Sequence, residues 1–273
     1  MRVSLKTAFW TVLCLLIALW SCKSSETPTV PKPTTSSITV NASSDMFFIG
    51  TVEVFTAVAT MSDGSTKAVV GGVWGVDWPN VATVESSTGK VTIVGSGTCT
   101  VYVDYEGKRG TKLIRGLPNY QGTWSGTYTP TSCSYSGSAF KAICSEFTTG
   151  SVWPTKLTLT QEKDRVTGRF YLGLMGADAS GPVATDGTLS LSGAIKEGSN
   201  TIDVSWKLQS TTPGKCTGSL TQLWYNVYYP GSARVEANIR DLNRTSTVET
   251  WYPAKSLPPN ATVQDAIDAL RGF

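Results

Sequence analysis

Residues 233–240, Ala-Arg-Val-Glu-Ala-Asn-Ile-Arg, alternate apolar and polar side chains without a break. Successive side chains of an extended chain point to opposite faces, so this spelling buries one face and wets the other only as a β-strand. The same period of two returns at Ile202, Val204, Trp206 and Leu208, at Cys99, Val101 and Val103, and at Phe55, Ala57 and Ala59. No stretch before residue 260 carries a convincing apolar period of 3.6. The body of the chain is therefore expected to be all-β.

Residues 37–116 are expected to form a first domain. In "NVATVESSTGKVTIVGSGT", residues 80–98, Ser87-Thr88-Gly89-Lys90 supplies a turn and Val91-Thr92-Ile93 a short strand. Beyond Gly95-Ser96-Gly97, Cys99, Val101 and Val103 share one strand face while Thr100, Tyr102 and Asp104 share the other. Ser62-Asp63-Gly64 is a hairpin signal, and Trp74 is the expected core aromatic. With "SITV" (37–40), Gly50, "VWGVDWPNVATVESSTGKVTIVGSGTCTVYV" (73–103) and a trailing strand near Lys112–Ile114, the segment resembles the group 2 bacterial Ig-like domain. That resemblance implies a small β-sandwich used in surface proteins as a rod or binding module. Glu53 stands where the family pattern has an apolar strand residue.

"RGLPNYQG" (115–122) combines glycine, proline and asparagine and marks a boundary. The region 120–252 then spells about eight strands at regular spacing. They centre on Trp124/Gly126/Tyr128, residues 139–147, Leu157/Leu159, Val166/Phe170/Leu172, Leu189/Leu191, Ile202–Leu208, Leu220 and Ala233–Ile239. Short links and an even count favour an up-and-down barrel, which leaves no exposed edge; a second sandwich is the alternative. "GTWSGTY" (122–128) is similar to the first strand of avidin- and lipocalin-type barrels. In the last segment, 253–273, Val263, Ala266, Ile267 and Leu270 fall on one helical face behind Thr262, predicting a short C-terminal helix.

The N-terminus speaks to location. Arg2 and Lys6 precede a thirteen-residue apolar run from Ala8 to Trp20, shorter than the span of about 20 that crosses a bilayer and suited to a secretory signal. Leu19-Trp20-Ser21-Cys22 resembles a bacterial lipobox, which implies cleavage after residue 21 and lipid on Cys22. A plain signal peptide is the alternative. Residues 22–36, rich in Ser, Thr and Pro, read as an extended tether. Together these predict a membrane-anchored lipoprotein of a bacterial outer membrane or cell surface. Losing Arg2 and Lys6 takes the formal charge from +3 to +1, with no basic stripe to recruit nucleic acid.

Chemistry is narrowly bounded. The chain has no histidine, which removes the commonest general base and the commonest metal ligand. No Cys-x-x-Cys occurs, so neither a metal nor a cofactor is expected. Apart from Cys14 in the leader and Cys22, the cysteines are Cys99, Cys133, Cys144 and Cys216. Cys133 and Cys144 flank one Ser/Gly-rich loop and form the natural disulfide, leaving Cys99 and Cys216 as buried thiols; a bond from Cys216 to either is the alternative. Asp203 and Glu236 are a conceivable carboxylate pair for glycan chemistry, but each alternates with apolar residues and reads as solvent-facing.

The remaining candidates are aromatic. Trp124, Trp206, Trp224, Tyr225, Tyr228, Tyr229 and Trp251 concentrate in the second domain. Trp206 aligns with core residues, whereas consecutive aromatics in "LWYNVYYPG" (223–231) must face both sides and predict an exposed rim. Trp224, Tyr225, Tyr228 and Tyr229 are accordingly the candidate ligand-binding residues. The leading expectation is a non-enzymatic lipoprotein whose Ig-like spacer presents a barrel that recognises a surface glycan or protein. A lipocalin-like carrier of a small apolar ligand is the second, and a carboxylate-based glycan-acting enzyme the third.

Overall fold

The computed structural model describes residues 31–248, 256–258 and 260–271. The N-terminal unit contains ten strands: β1 (Thr35–Asn41), β2 (Met46–Phe48), β3 (Val52–Val54), β4 (Thr56–Met61), β5 (Thr66–Ala68), β6 (Val73–Val76), β7 (Ala82–Val84), β8 (Lys90–Ile93), β9 (Gly97–Tyr105) and β10 (Lys108–Leu117). They form three small sheets, ordered β1-β4-β5, β2-β10-β9-β6 and β3-β8-β7. Phe47, Phe55, Trp74, Ile93, Cys99, Val101, Val103 and Ile114 make up much of their shared core. β9 and β10 turn through Glu106 (φ 47°) and Gly107 (φ 73°), two successive left-handed residues of the kind a tight hairpin requires. Glu53 is satisfied on the surface, where its carboxylate accepts from the Ser43 amide and hydroxyl at 2.7 Å each.

The second unit is a closed barrel of eight strands. In order these are β11 (Gly122–Ser136), β12 (Trp153–Glu162), β13 (Arg165–Leu172), β14 (Met175–Pro182), β15 (Leu189–Glu197), β16 (Asn200–Thr212), β17 (Lys215–Asn226) and β18 (Ser232–Ser246). Each pairs antiparallel with the next, and β18 closes on β11 from Thr123↔Ser246 to Ser136↔Ser232. β18 shows the expected two faces: Ala233, Val235, Ala237 and Ile239 are buried, while Arg234, Glu236, Asn238 and Arg240 are exposed. Three register breaks let the long β11 coil around the barrel, one of them at Pro130, where a missing amide hydrogen costs the ladder little. Trp124, Leu157, Phe170, Trp206, Leu220 and Trp224 are each at most 1% exposed and belong to one core. The barrel interior is a packed core in this region.

One expected strand needs correction, and one strand was not expected. Residues 139–147 are not a strand: a 3-10 turn at Ser138–Phe140 leads into helix α1 (Lys141–Glu146). Phe140, Ile143 and Phe147 are the buried positions of this segment, and spacings of three and four match a helical turn, not a pleat. The eighth strand is instead β14, "MGADASGP", whose small residues and two glycines carry little strand propensity. Its place is decided by β13, which it pairs along its whole length from Leu172↔Met175 to Arg165↔Pro182.

The barrel ends are closed differently. At one, helix α2 (Val263–Leu270) begins with a capping box between Thr262 and Asp265 and buries Ala266, Ile267, Ala269 and Leu270 in the barrel core. The Leu174 amide donates to the Ala269 carbonyl at 2.8 Å. Gly173 (φ +55°) lets this approach occur, since a Cβ there would meet the Leu270 carbonyl oxygen at 2.3 Å. At the other end, Tyr120 is the plug. Its hydroxyl donates to the Gly187 carbonyl at 2.7 Å and accepts from the Ser210 amide at 3.2 Å. Its amide donates to Gln161 Oε1 at 2.6 Å. Arg115 of β10 spans the junction, donating to Asp164 Oδ2 at 3.0 Å and to the Val183 carbonyl.

Candidate functional site

The rim of exposed aromatics is built at the β17–β18 turn. Alternation along β17 sends Leu220, Gln222, Trp224 and Asn226 inward and Tyr225 outward. Asn226 then stops the strand. Its side-chain nitrogen donates to Ser199 Oγ and Asn200 Oδ1 at 2.8 Å each, and its Oδ1 accepts from the Tyr228 amide at 2.8 Å. Such a side-chain-to-backbone turn diverts the chain away from the barrel wall. Gly231 (φ +114°) brings it back, passing so close to Ser136 that a Cβ would lie 2.2 Å from that residue's carbonyl oxygen. The segment between is projected into solvent. Val227, Tyr228 and Tyr229 are 72%, 77% and 53% exposed.

Tyr225 and Tyr135 extend this surface. Tyr225 lies on the outer wall, where its hydroxyl donates to Asp203 Oδ2 at 3.2 Å. Tyr135 of β11 is exposed at the same barrel end, in register with Ala233, which in turn faces Trp224. Large apolar side chains grouped on a surface are unusual unless something covers them, whereas single ones are ordinary.

Trp224 departs from the expectation and is not part of the rim. It is 1% exposed, donates from Nε1 to Gln222 Oε1 at 2.9 Å, and packs on Phe147 with ring centroids 5.9 Å apart. The pleat is the reason: residue 224 shares a parity with Leu220 and Gln222, and that face is interior. Trp206 is likewise core, edge-on to Phe170 at 6.2 Å. Cys22 and Trp251 lie outside the described residues.

The cysteines pair as the loop suggests. Cys133 on β11 is bonded to Cys144 on α1, with Cα atoms 5.4 Å apart, and Cys99 and Cys216 are free and buried. The bond holds α1 against the barrel end, where Phe147 stacks on Trp153 at 4.4 Å and on Tyr128 at 6.5 Å. Burial pushes the Cys216 thiol up to about 12, so it is no nucleophile.

The carboxylates do not converge. Asp203 is taken up by Tyr225, and Glu236 pairs with Arg234 at 3.0 Å and accepts from Ser132 Oγ at 3.3 Å. Both side chains are on the outer wall, on strands separated by β17. Among the described residues no group of three or more metal-ligating side chains occurs. No protein-family model matches the chain, and no curated protein matches it either.

Val227 and Tyr135 were not singled out by sequence reasoning. Asn226 followed by Pro230-Gly231 is the signal that finds the first, because it marks where the pleat ends. Tyr135 joins the rim through β11–β18 pairing across about a hundred residues, and nothing local announces that.

Proposed function

We propose that this chain is a non-enzymatic, membrane-anchored surface lipoprotein in which an Ig-like spacer presents the barrel as a recognition module for a surface glycan or protein. The observation that carries the reading is the exposed cluster of Val227, Tyr228 and Tyr229 at a barrel tip. Aromatic side chains supply large contact area at low entropic cost and dominate binding hot spots. The packed interior, with Trp124, Phe170 and Trp206 filling it, counsels against the barrel as a carrier of a small apolar ligand. The outward, separated positions of Asp203 and Glu236 counsel against glycan hydrolysis, which needs two carboxylates flanking one bond.

The anchor rests on the lipobox-like tetrad ending in Cys22 and on the Pro-rich stretch after it. The spacer rests on the motifs of residues 37–116 that resemble the group 2 bacterial Ig-like domain, and the three sheets around one core are compatible with it. Two experiments test the reading. The full chain and its Tyr228→Ala/Tyr229→Ala variant are compared on glycan and cell-surface protein arrays; specific binding that the variant loses while melting like the parent supports it. Binding unchanged in the variant removes the rim as the site. Detergent fractionation of Cys22→Ala tests the anchor, which is wrong if the variant stays as membrane-bound as the parent.

A further inference from the structure

A second candidate site lies at the opposite end of the barrel, where the two units meet. A cavity of about 330 Å3 opens there, lined by Ile49, Val94 and Ser96 of the N-terminal unit and by Thr211, Pro213 and Arg244 of the barrel, among others. Its size is at the low end of small-molecule sites, which run from about 300 to 1,000 Å3. Ile49 and Val94 are 37% and 45% exposed, so the N-terminal unit offers this space an apolar wall.

Arg244 is the distinctive group. Its guanidinium lies over the Trp124 ring, 4.6 Å from the centroid, and Nη2 donates to the Asn119 carbonyl. Nε is buried with no hydrogen-bond partner among the described residues. Among the described residues no carboxylate lines the cavity and no ion pair includes Arg244. Desolvation draws its pKa below the ordinary value. A half-buried cation without counter-charge costs stability unless an anion meets it.

We propose that this cleft binds a small amphipathic monocarboxylate, its carboxylate on Arg244 and its apolar body against Ile49, Val94 and Pro213. A guanidinium matches a carboxylate in shape and supplies charge-assisted hydrogen bonds. One cation in a cavity of mixed apolar and hydroxyl-bearing walls suits one negative charge; a phosphate dianion would leave its second charge unmet. A neutral alcohol of equal length fills the walls but leaves Arg244 as it was. Because both units line the site, the ligand also bridges their junction. The proposal is independent of the tyrosine rim.

Hexanoate is titrated into the full chain while the Ile49 and Val94 methyl and Trp124 indole resonances are followed, with hexan-1-ol and inorganic phosphate as comparison probes. Saturable shifts at these three residues with a millimolar Kd are expected. Hexan-1-ol, inorganic phosphate and the Arg244→Gln variant should each show binding at least about tenfold weaker, a difference of about 1.4 kcal/mol. Should Arg244→Gln fail to fold, Val94→Glu serves, since it places a carboxylate at an exposed position on the wall of the same cavity and should weaken hexanoate similarly. Absent saturation, equal binding of hexan-1-ol or phosphate, or undiminished binding by Val94→Glu overturns the proposal.

Discussion

Removing the Cys133–Cys144 bond, as Cys133→Ala/Cys144→Ala, should lower the barrel's stability by about 3 kcal/mol. The cysteines are 11 residues apart in sequence, and the chain-entropy cost of closing a loop of that length is about 3 kcal/mol at 25 °C. For a domain of this size each kcal/mol moves the melting temperature by about 2–4 °C, so a fall of about 6–12 °C is expected. The native state should lose little, because α1 is also held by packing: Phe147 stacks on Trp153 and Tyr128, and Phe140 and Ile143 are buried. Phe147→Ala with the bond intact supplies the comparison, at about 3–5 kcal/mol. Calorimetry measures the shift, and native-state hydrogen exchange locates it. Protection should fall over residues 138–147 to the same global limit as β16 and β17. A shift below about 3 °C would refute the reasoning, because it would mean that the unfolded chain gains almost no freedom when the bond is removed.

Two further outcomes are expected. Glu106 accepts from Thr35 Oγ1 at 2.5 Å and pairs with Lys67 at 3.0 Å, and these partners, Thr35 first, hold its carboxyl at about 2 against an ordinary 4.5. A carboxylate whose pKa falls on folding contributes stability above its unfolded value that is lost as pH drops through the folded one. Acid titration of the N-terminal unit's unfolding midpoint should therefore show a loss between pH 4.5 and about 2 that Glu106→Gln flattens; an identical profile in the variant would remove Glu106 as the cause. Cys99 and Cys216 are 1% exposed and burial raises both thiol pKa values, so iodoacetamide near neutral pH should label neither until denaturant is added. Rapid native labelling of either would contradict its burial.

What was legible in the sequence is what neighbouring residues decide. A pleat has a period of two, so the faces of 233–240 and of 99–103 follow from spelling alone, and a loop of ten residues brings its own flanking cysteines together. The C-terminal helix follows for the same reason, since Thr262, Asp265, Ile267 and Leu270 interact within two turns. The same parity rule puts Trp224 indoors and Tyr225 outdoors, although consecutive aromatics obscured it.

The tertiary structure decided whatever depends on partners far along the chain. β14 has little propensity of its own and is a strand because β13 and β15 present open ladders on either side. Closure of the barrel sets β18 beside β11, more than a hundred residues away, and only that pairing brings Arg244 onto Trp124 and Tyr135 to the tyrosine rim. Residues 139–147 are helical because the open end of a closed barrel needs apolar side chains pointing down into it from one face. A strand, with its alternation, would have aimed half of them at water.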